Sequence, residues 1–188
     1  GLGDVYKRQL LRRAASIYPD KPAVIQQQRI LSWGEVFNRC QRIASALSKR
    51  GIGKGDTVAI LSANTPEMFE AHFAIPMAGA VLNAINMRLD AATVSFILQH
   101  GEAKLLLVDK EFGALAQSAI ERMSSPPIVI HIDDPSCEVG YLVGSISYDD
   151  LLHEGEIGEI GEVGVYVADY LPADEWDAIA LNYTSGTT

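Results

Sequence analysis

Near the end of the chain, Thr184-Ser185-Gly186-Thr187-Thr188 sets four hydroxyls around one glycine. Hydroxyls donate hydrogen bonds to anionic oxygens, and a glycine lets a backbone N–H approach them closely. Such a run suits a grip on phosphate; none of its side chains is a proton-transfer group. The apolar stretch Ala178-Ile179-Ala180-Leu181 precedes it, so it reads as a strand emptying into a polar loop. It is not a P-loop of the Gly-x-x-x-x-Gly-Lys-Ser/Thr kind, because the first glycine and the lysine are absent. The same residue types also build ordinary turns. Both readings stand on these residues alone.

Other residues with chemical potential are weaker candidates. His72 follows a capped helix start and reads as a core-facing histidine on an apolar helix rather than a base. His100, His131 and His153 show no metal-ligand spacing. Cys40 falls on an apolar helix face and reads as core rather than nucleophile. Asp133-Asp134 has no third carboxylate nearby in sequence, which makes it a weak metal candidate. Arg88 is a candidate for an anion, with packing or a salt bridge as the plainer expectation. No catalytic and no metal residue is assigned.

The elements that must position the hydroxyl run can be read in chain order. Leu10–Ile17 is a short helix closed by Tyr18-Pro19. Ala23-Val24-Ile25 and Ile30-Leu31-Ser32 flank a polar turn, as in a β-hairpin. Ser32 with Glu35 forms a capping-box pattern, and Leu31 with Val36 a hydrophobic staple. Val36, Phe37, Cys40, Ile43, Ala44 and Leu47 then keep one face apolar until Gly51 ends the helix. Thr57-Val58-Ala59-Ile60-Leu61 is a continuous apolar run, the pattern of a strand covered on both faces. Thr65 caps the next helix with Pro66 at its first position, and Pro76 inside that helix predicts a kink at His72. Ala80-Val81-Leu82 reads as a short strand, and Asp90 starts a helix that Gly101 stops. Leu105–Val108 reads as a strand, Glu111–Met123 as a helix and Ile128-Val129-Ile130 as a strand. Asp133–Ser147 is polar and turn-rich, with a short helix at Tyr148–Leu152. Gly155–Gly164 repeats Gly-Glu-apolar three times within an irregular, flexible connector of about residues 153–175, and Val165-Tyr166-Val167 suits an edge strand.

Strand alternating with helix predicts an α/β fold: a layered αβα arrangement around a mainly parallel sheet. In such sheets ligands sit beyond the carboxyl ends of strands, the kind of position expected for Thr184–Thr188. A chain of 188 residues, 48% hydrophobic and 21% charged, suits one globular domain. A net charge of −9 argues against a nucleic-acid surface and gives no overall steering towards ATP, so a nucleotide would depend on local donors. No apolar run reaches membrane-spanning length. Cys40 and Cys137 are too few for a disulfide framework, and the first residues lack a signal-peptide core, so a reducing compartment is expected.

The segment Ala173-Asp174-Glu175-Trp176-Asp177-Ala178-Ile179-Ala180-Leu181-Asn182-Tyr183 and the hydroxyl run resemble the approach to the nucleotide loop of adenylate-forming acyl-CoA synthetases. Within that superfamily the likeness is to plant acyl-activating enzymes of the short-chain and aromatic acid–CoA ligase type. A second block agrees: Asn64-Thr65-Pro66-Glu67-Met68, His72-Phe73-Ala74-Ile75-Pro76-Met77-Ala78-Gly79-Ala80-Val81-Leu82-Asn83 and Asn86-Met87-Arg88-Leu89-Asp90. The resemblance runs from about Leu10 to Thr188 except near Gly155–Tyr170. It implies that residues 10–188 form an incomplete amino-terminal part of the large AMP-binding domain, with residues 1–9 an unmatched leader.

The resemblance further implies an ATP-dependent acid–thiol ligase that joins a carboxylic or fatty acid to CoA through an acyl-adenylate. Thr184, Ser185, Gly186, Thr187 and Thr188 match its phosphate-gripping loop. ATP, Mg2+ and CoA are the implied cofactors and co-substrates, and the setting peroxisomal or cytoplasmic rather than secreted. The loop lysine, adenine motif, magnesium-ligating glutamate and catalytic carboxy-terminal domain of that family would all follow Thr188, so the 188-residue chain alone is expected to be inactive. A non-catalytic doubly wound α/β module that binds a nucleotide or partner is the alternative.

Overall fold

The computed structural model describes residues 2–155 and 177–183. Five strands lie in the order β4-β3-β5-β6-β7, and every neighbouring pair is parallel. They are β3 (Thr57–Leu61), β4 (Val81–Ala84), β5 (Ala103–Asp109), β6 (Ile128–Ile132) and β7 (Ile146–Ser147). Parallel neighbours need crossovers. Helix α3 (Pro66–Met77) links β3 to β4, α4 (Ala91–His100) links β4 to β5, and α5 (Gly113–Ile120) links β5 to β6. Helix α6 (Tyr148–Glu154) follows β7. Before the sheet come α1 (Leu2–Ile17), the antiparallel hairpin β1 (Pro22–Gln26) with β2 (Arg29–Ser32), and α2 (Trp33–Lys49).

Alternate strand residues face opposite layers. Val58, Ile60, Leu82, Leu105, Leu107, Ile130 and Ile132 pack with Leu11 of α1 and with buried residues of α2, α3 and α6. Ala59, Leu61, Leu106 and Val108 pack with Val94, Ile97 and Leu98 of α4 and with Ala116 and Ala119 of α5. Covering on both faces leaves no exposed position in β3, which is why its sequence after Thr57 is one apolar run. The result is the expected αβα layering.

Local start signals behave as their chemistry requires. The Ser32 hydroxyl accepts the Glu35 N–H, and the Glu35 carboxylate accepts the Ser32 N–H at 2.7 Å. The Thr65 hydroxyl accepts the Met68 N–H, with Pro66 at the first position of α3. The Asp90 carboxylate accepts the Thr93 N–H at 2.7 Å. Gly51 takes a φ of +74° just past α2, in the left-handed region that a side chain would disfavour.

The described elements depart from expectation in several places. Helix α1 begins at Leu2, ahead of Leu10. Helix α5 covers only Gly113–Ile120, because Asp109 caps a 3-10 turn at Lys110–Phe112 and Gly113 abuts the Tyr141 carbonyl. Pro76 does lie inside α3, as expected, in the last turn before Met77. Strand β7 was not expected; it has only two residues. Ala178–Leu181 is not a strand but carries one isolated parallel bridge, Ala180 to Leu82. The Gly-Glu connector beyond Gly155 and Val165-Tyr166-Val167 lie outside the described residues.

Candidate functional site

Thr184, Ser185, Gly186, Thr187 and Thr188 lie outside the described residues; the segment that delivers them, Asp177–Tyr183, is described. It docks along the free border of β4. The Leu82 N–H donates to the Ile179 carbonyl at 3.0 Å, and the Leu181 N–H donates to the Leu82 carbonyl at 2.8 Å. This pattern is parallel, so the segment runs in the direction of β4 and extends the sheet by one rung. Asp177 pairs with Lys54 at 3.0 Å. Tyr183, three residues past the rung at Ala180, packs against the α4–α5 cluster, and its hydroxyl meets Nδ1 of His100 at 2.7 Å. His100, with no metal-ligand spacing in sequence, is thus brought to the residue that precedes Thr184. The only local clue to it is Phe96, one helical turn earlier, which stacks on it at 5.4 Å.

At the carboxyl ends of β3 and β5, where a doubly wound sheet offers ligands a crevice, a buried polar cluster forms. Asp109, the last residue of β5, is fully buried and accepts hydrogen bonds from the Glu111 N–H at 3.0 Å and the Ser62 hydroxyl at 3.3 Å. Ser62 and the Thr65 cap lie 3.2 Å apart. Burial, aided by repulsion from Asp134, pushes the Asp109 carboxyl above the usual carboxylate range. These groups hold the β3–α3 turn in place and tie it to β5.

A second crevice of about 300 Å3 opens at the carboxyl ends of β6 and β7, lined by Arg29, Glu67, Ile132, Ser147 and Tyr148 among others. Its guanidinium is already engaged: Arg29 donates to Glu67 at 2.7 Å. Behind it, Glu70 is completely buried in α3. It accepts from Arg39 Nε at 2.5 Å, Arg39 Nη2 at 3.2 Å and the Tyr148 hydroxyl at 2.8 Å. Burial pushes the Glu70 carboxyl up despite Arg39. For Arg39, burial works against the charge, but Glu70 outweighs it and raises the guanidinium further. This network joins α2, α3 and α6. Sequence reading missed it, since its members lie 31 and 78 residues apart.

The remaining candidates are accounted for by their neighbours. Burial pushes the Cys40 thiol well up, which suits a core residue and not a nucleophile. Asp133 is bound by Lys110 at 2.6 Å, and Asp134 accepts the Ser136 hydroxyl at 2.5 Å and the Gln26 amide at 3.2 Å. Among the described residues no group of three or more His, Cys, Asp and Glu is placed to hold a metal ion. His72 is half-buried, and Arg88 is exposed with its N–H donated to Asn86 Oδ1 at 3.0 Å. No described helix is long and apolar enough to cross a membrane.

Comparison with known proteins extends this local picture. The family pattern described as AMP-binding enzyme matches residues 11–188. The chain is 42% identical over 190 residues to the peroxisomal acetate/butyrate–CoA ligase AAE7 of Arabidopsis thaliana, covering 95% of this chain and 32% of that protein. It is 40% identical to acetate–CoA ligase CCL3 of Humulus lupulus, with the same coverage of both chains. It is 38% identical to the peroxisomal benzoate–CoA ligase of Arabidopsis thaliana, covering 95% of this chain and 31% of that one. The chain therefore spans about a third of the length of these relatives. Among solved structures, the anthranilate CoA ligase AuaEII in complex with anthranoyl-AMP superposes with a TM-score of 0.77 at 24% identity, over 96% of this chain and 32% of that one. The amino-terminal domain of FACL13 from Mycobacterium tuberculosis superposes with a TM-score of 0.68 at 24% identity, over 94% and 41%. The same αβα scaffold thus recurs in both. With that scaffold in place and the family pattern matching residues 11–188, the chain belongs to the AMP-binding enzyme family.

Proposed function

We propose that this chain works as the amino-terminal part of an ATP-dependent acid–thiol ligase, and that Thr184, Ser185, Gly186, Thr187 and Thr188 hold the phosphates of ATP. The acid's carboxylate attacks the α-phosphorus, pyrophosphate leaves, and the sulfur of CoA then displaces AMP from the acyl-adenylate. Charge grows on the phosphoryl oxygens as two anions meet, so the main demand on the protein is fixed hydrogen-bond donors. Four hydroxyls and a glycine N–H are donors of that type. The observation that carries this is the parallel rung between Ala180 and Leu82, which joins the segment ahead of Thr184 to the sheet. A rung on a rigid sheet fixes the approach to these donors and so lowers the cost of bringing them to the ligand.

The donor set fits the phosphates of ATP. Mg2+ belongs to the expectation for the longer protein; among the described residues no group of three or more His, Cys, Asp and Glu is placed to hold it, and no step here runs through the ion. The acid is a carboxylate of the short-chain or aromatic class named in the relatives, and the compartment is the peroxisome or cytosol. The 188-residue chain by itself is not expected to catalyse adenylation, because Thr184–Thr188 supply neutral donors but no cation to offset the charge that grows as two anions meet.

The test is ATP–pyrophosphate exchange with acetate, butyrate or benzoate, run on the protein translated from its full-length message and on the 188-residue chain. Exchange by the longer protein and none by the shorter is expected. Absence of exchange from the longer protein with every acid tried, together with tight binding of a nucleotide or a protein, replaces the ligase with a non-catalytic module. Exchange by the shorter chain refutes its dependence on further residues.

A further inference from the structure

The contact between Tyr183 and His100 is not used by the chemistry above. Their rings meet edge to face, with centroids 5.8 Å apart, and the phenol hydroxyl lies 2.7 Å from Nδ1. His100 is the last residue of α4, and its ring is backed by Phe96 at 5.4 Å. The corner after it is closely fitted to the same segment. A Cβ on Gly101 would lie 3.2 Å from Leu181 Cδ2 and 2.9 Å from the Ile97 carbonyl oxygen. The segment therefore touches the body of the fold at Asp177 on Lys54, at the backbone rung of Ala180 and, nearest the hydroxyl run, through the Tyr183 side chain on α4. The ion pair and the rung fix the segment up to Leu181 but leave the chain beyond it free to pivot. The Tyr183 contact removes that freedom.

We propose that His100 and Tyr183 are positioning residues that fix where the hydroxyl run begins, and so where its donors meet a triphosphate. This rests on the assignment of Thr184–Thr188 to the phosphates. Neither residue touches the reacting atoms. Chain already ordered at its entry loses less freedom when the ligand binds, so breaking the contact weakens ATP binding more than it slows chemistry. One hydrogen bond of this kind corresponds to about a 3- to 10-fold effect.

The experiment uses the protein translated from its full-length message and the variants Tyr183→Phe, His100→Phe, His100→Asn and Tyr183→Phe/His100→Phe. The phenylalanines keep the rings and remove the hydrogen bond; asparagine restores a polar atom near the place of Nδ1. Each phenylalanine variant is expected to raise the KM for ATP about 3- to 10-fold, with kcat falling by less than KM rises. The double variant should be no worse than either single one, and His100→Asn should recover most of the affinity. Multiplying effects in the double variant, or a loss confined to kcat, overturns the proposal. In the 188-residue chain, the 15N shift of His100 Nδ1 and the amide shifts of Thr184–Thr188 should both move on Tyr183→Phe; unmoved shifts also overturn it. If the unaltered longer protein shows no exchange, the ligase assignment fails, and the NMR shifts alone decide whether the contact positions the run.

Discussion

Arg39→Met is the substitution whose effect the structure constrains most tightly. It deletes two of the three side-chain hydrogen bonds of Glu70, those at 2.5 and 3.2 Å, and leaves a fully buried carboxylate with the Tyr148 hydroxyl at 2.8 Å. Removing one partner of a buried pair strands the other charge, which costs about 3–5 kcal/mol. Replacing both charges by apolar side chains, as in Arg39→Met/Glu70→Leu, removes the stranded charge and should restore most of the loss, leaving mainly the Tyr148 hydroxyl unmet. The loss also depends on pH, with a definite sign. Burial holds the folded-state pKa of Glu70 above its unfolded value, so the folded chain binds that proton more tightly. The stability so gained is fully present below the unfolded pKa and is lost as pH rises through the folded pKa. Without Arg39 the folded pKa climbs further, and the window of lost stability extends upwards. Within it the folding equilibrium changes about tenfold per pH unit for the one proton. Urea unfolding followed by far-UV circular dichroism at pH 5 and pH 7.5 is the assay. The deficit of Arg39→Met relative to the unaltered chain should be larger at pH 7.5. A deficit equal at both pH values, or a double variant as unstable as the single one, refutes this account.

Three further outcomes can be checked by the same unfolding measurement. Ser32→Ala removes the hydroxyl that accepts the Glu35 N–H at 3.2 Å and should cost about 1 kcal/mol; no change would mean that α2 starts without its cap. Gly155→Ala places a Cβ 1.8 Å from the Arg42 carbonyl oxygen, so backbone must move, and a loss of about 1–3 kcal/mol or more is expected; an unaltered midpoint would show that α6 can lift off α2 freely. Asn83 is 1% exposed, and among the described residues neither its amide oxygen nor its nitrogen has a partner. Asn83→Leu should therefore stabilise the 188-residue chain by about 1–3 kcal/mol, and a loss instead would reveal a partner for the carboxamide.

Most of the scaffold was legible because its signals are local. A cap and the N–H that donates to it lie within three residues, as in Ser32 with Glu35 and Thr65 with Met68. The apolar runs of β3 and β5 announce strands buried on both faces, and alternation with helices makes a parallel sheet the natural closure. The failures also have physical causes. The helix expected at Glu111–Met123 starts late, because the Asp109 cap makes a 3-10 turn and Gly113 lies close against Tyr141. Strand β7 holds two residues, too few for any period to show. At the candidate site the hydroxyl run stood out by residue type, whereas its neighbours did not. His100 and Tyr183 are 83 residues apart, and only the docking of the segment beside β4 brings them together. Glu70, Arg39 and Tyr148 sit on three different helices, so no single stretch of sequence carries their contact.

The basic corner after α2 holds two distant points of the chain at once. Lys49 donates to the Glu154 carbonyl at 2.6 Å, Arg50 pairs with the Glu154 carboxylate at 2.6 Å, and Lys54 binds Asp177 at 3.0 Å. One stretch of six residues, Lys49–Lys54, thus grips both the point where the chain leaves α6 and the point where it returns. With departure and return anchored to the same corner, the length of the intervening excursion hardly affects the rest of the molecule. Doubling a closed loop adds only about 0.6 kcal/mol. Insertions, deletions or a grafted reporter peptide between Gly155 and Asp177 should consequently be accepted with little change in stability.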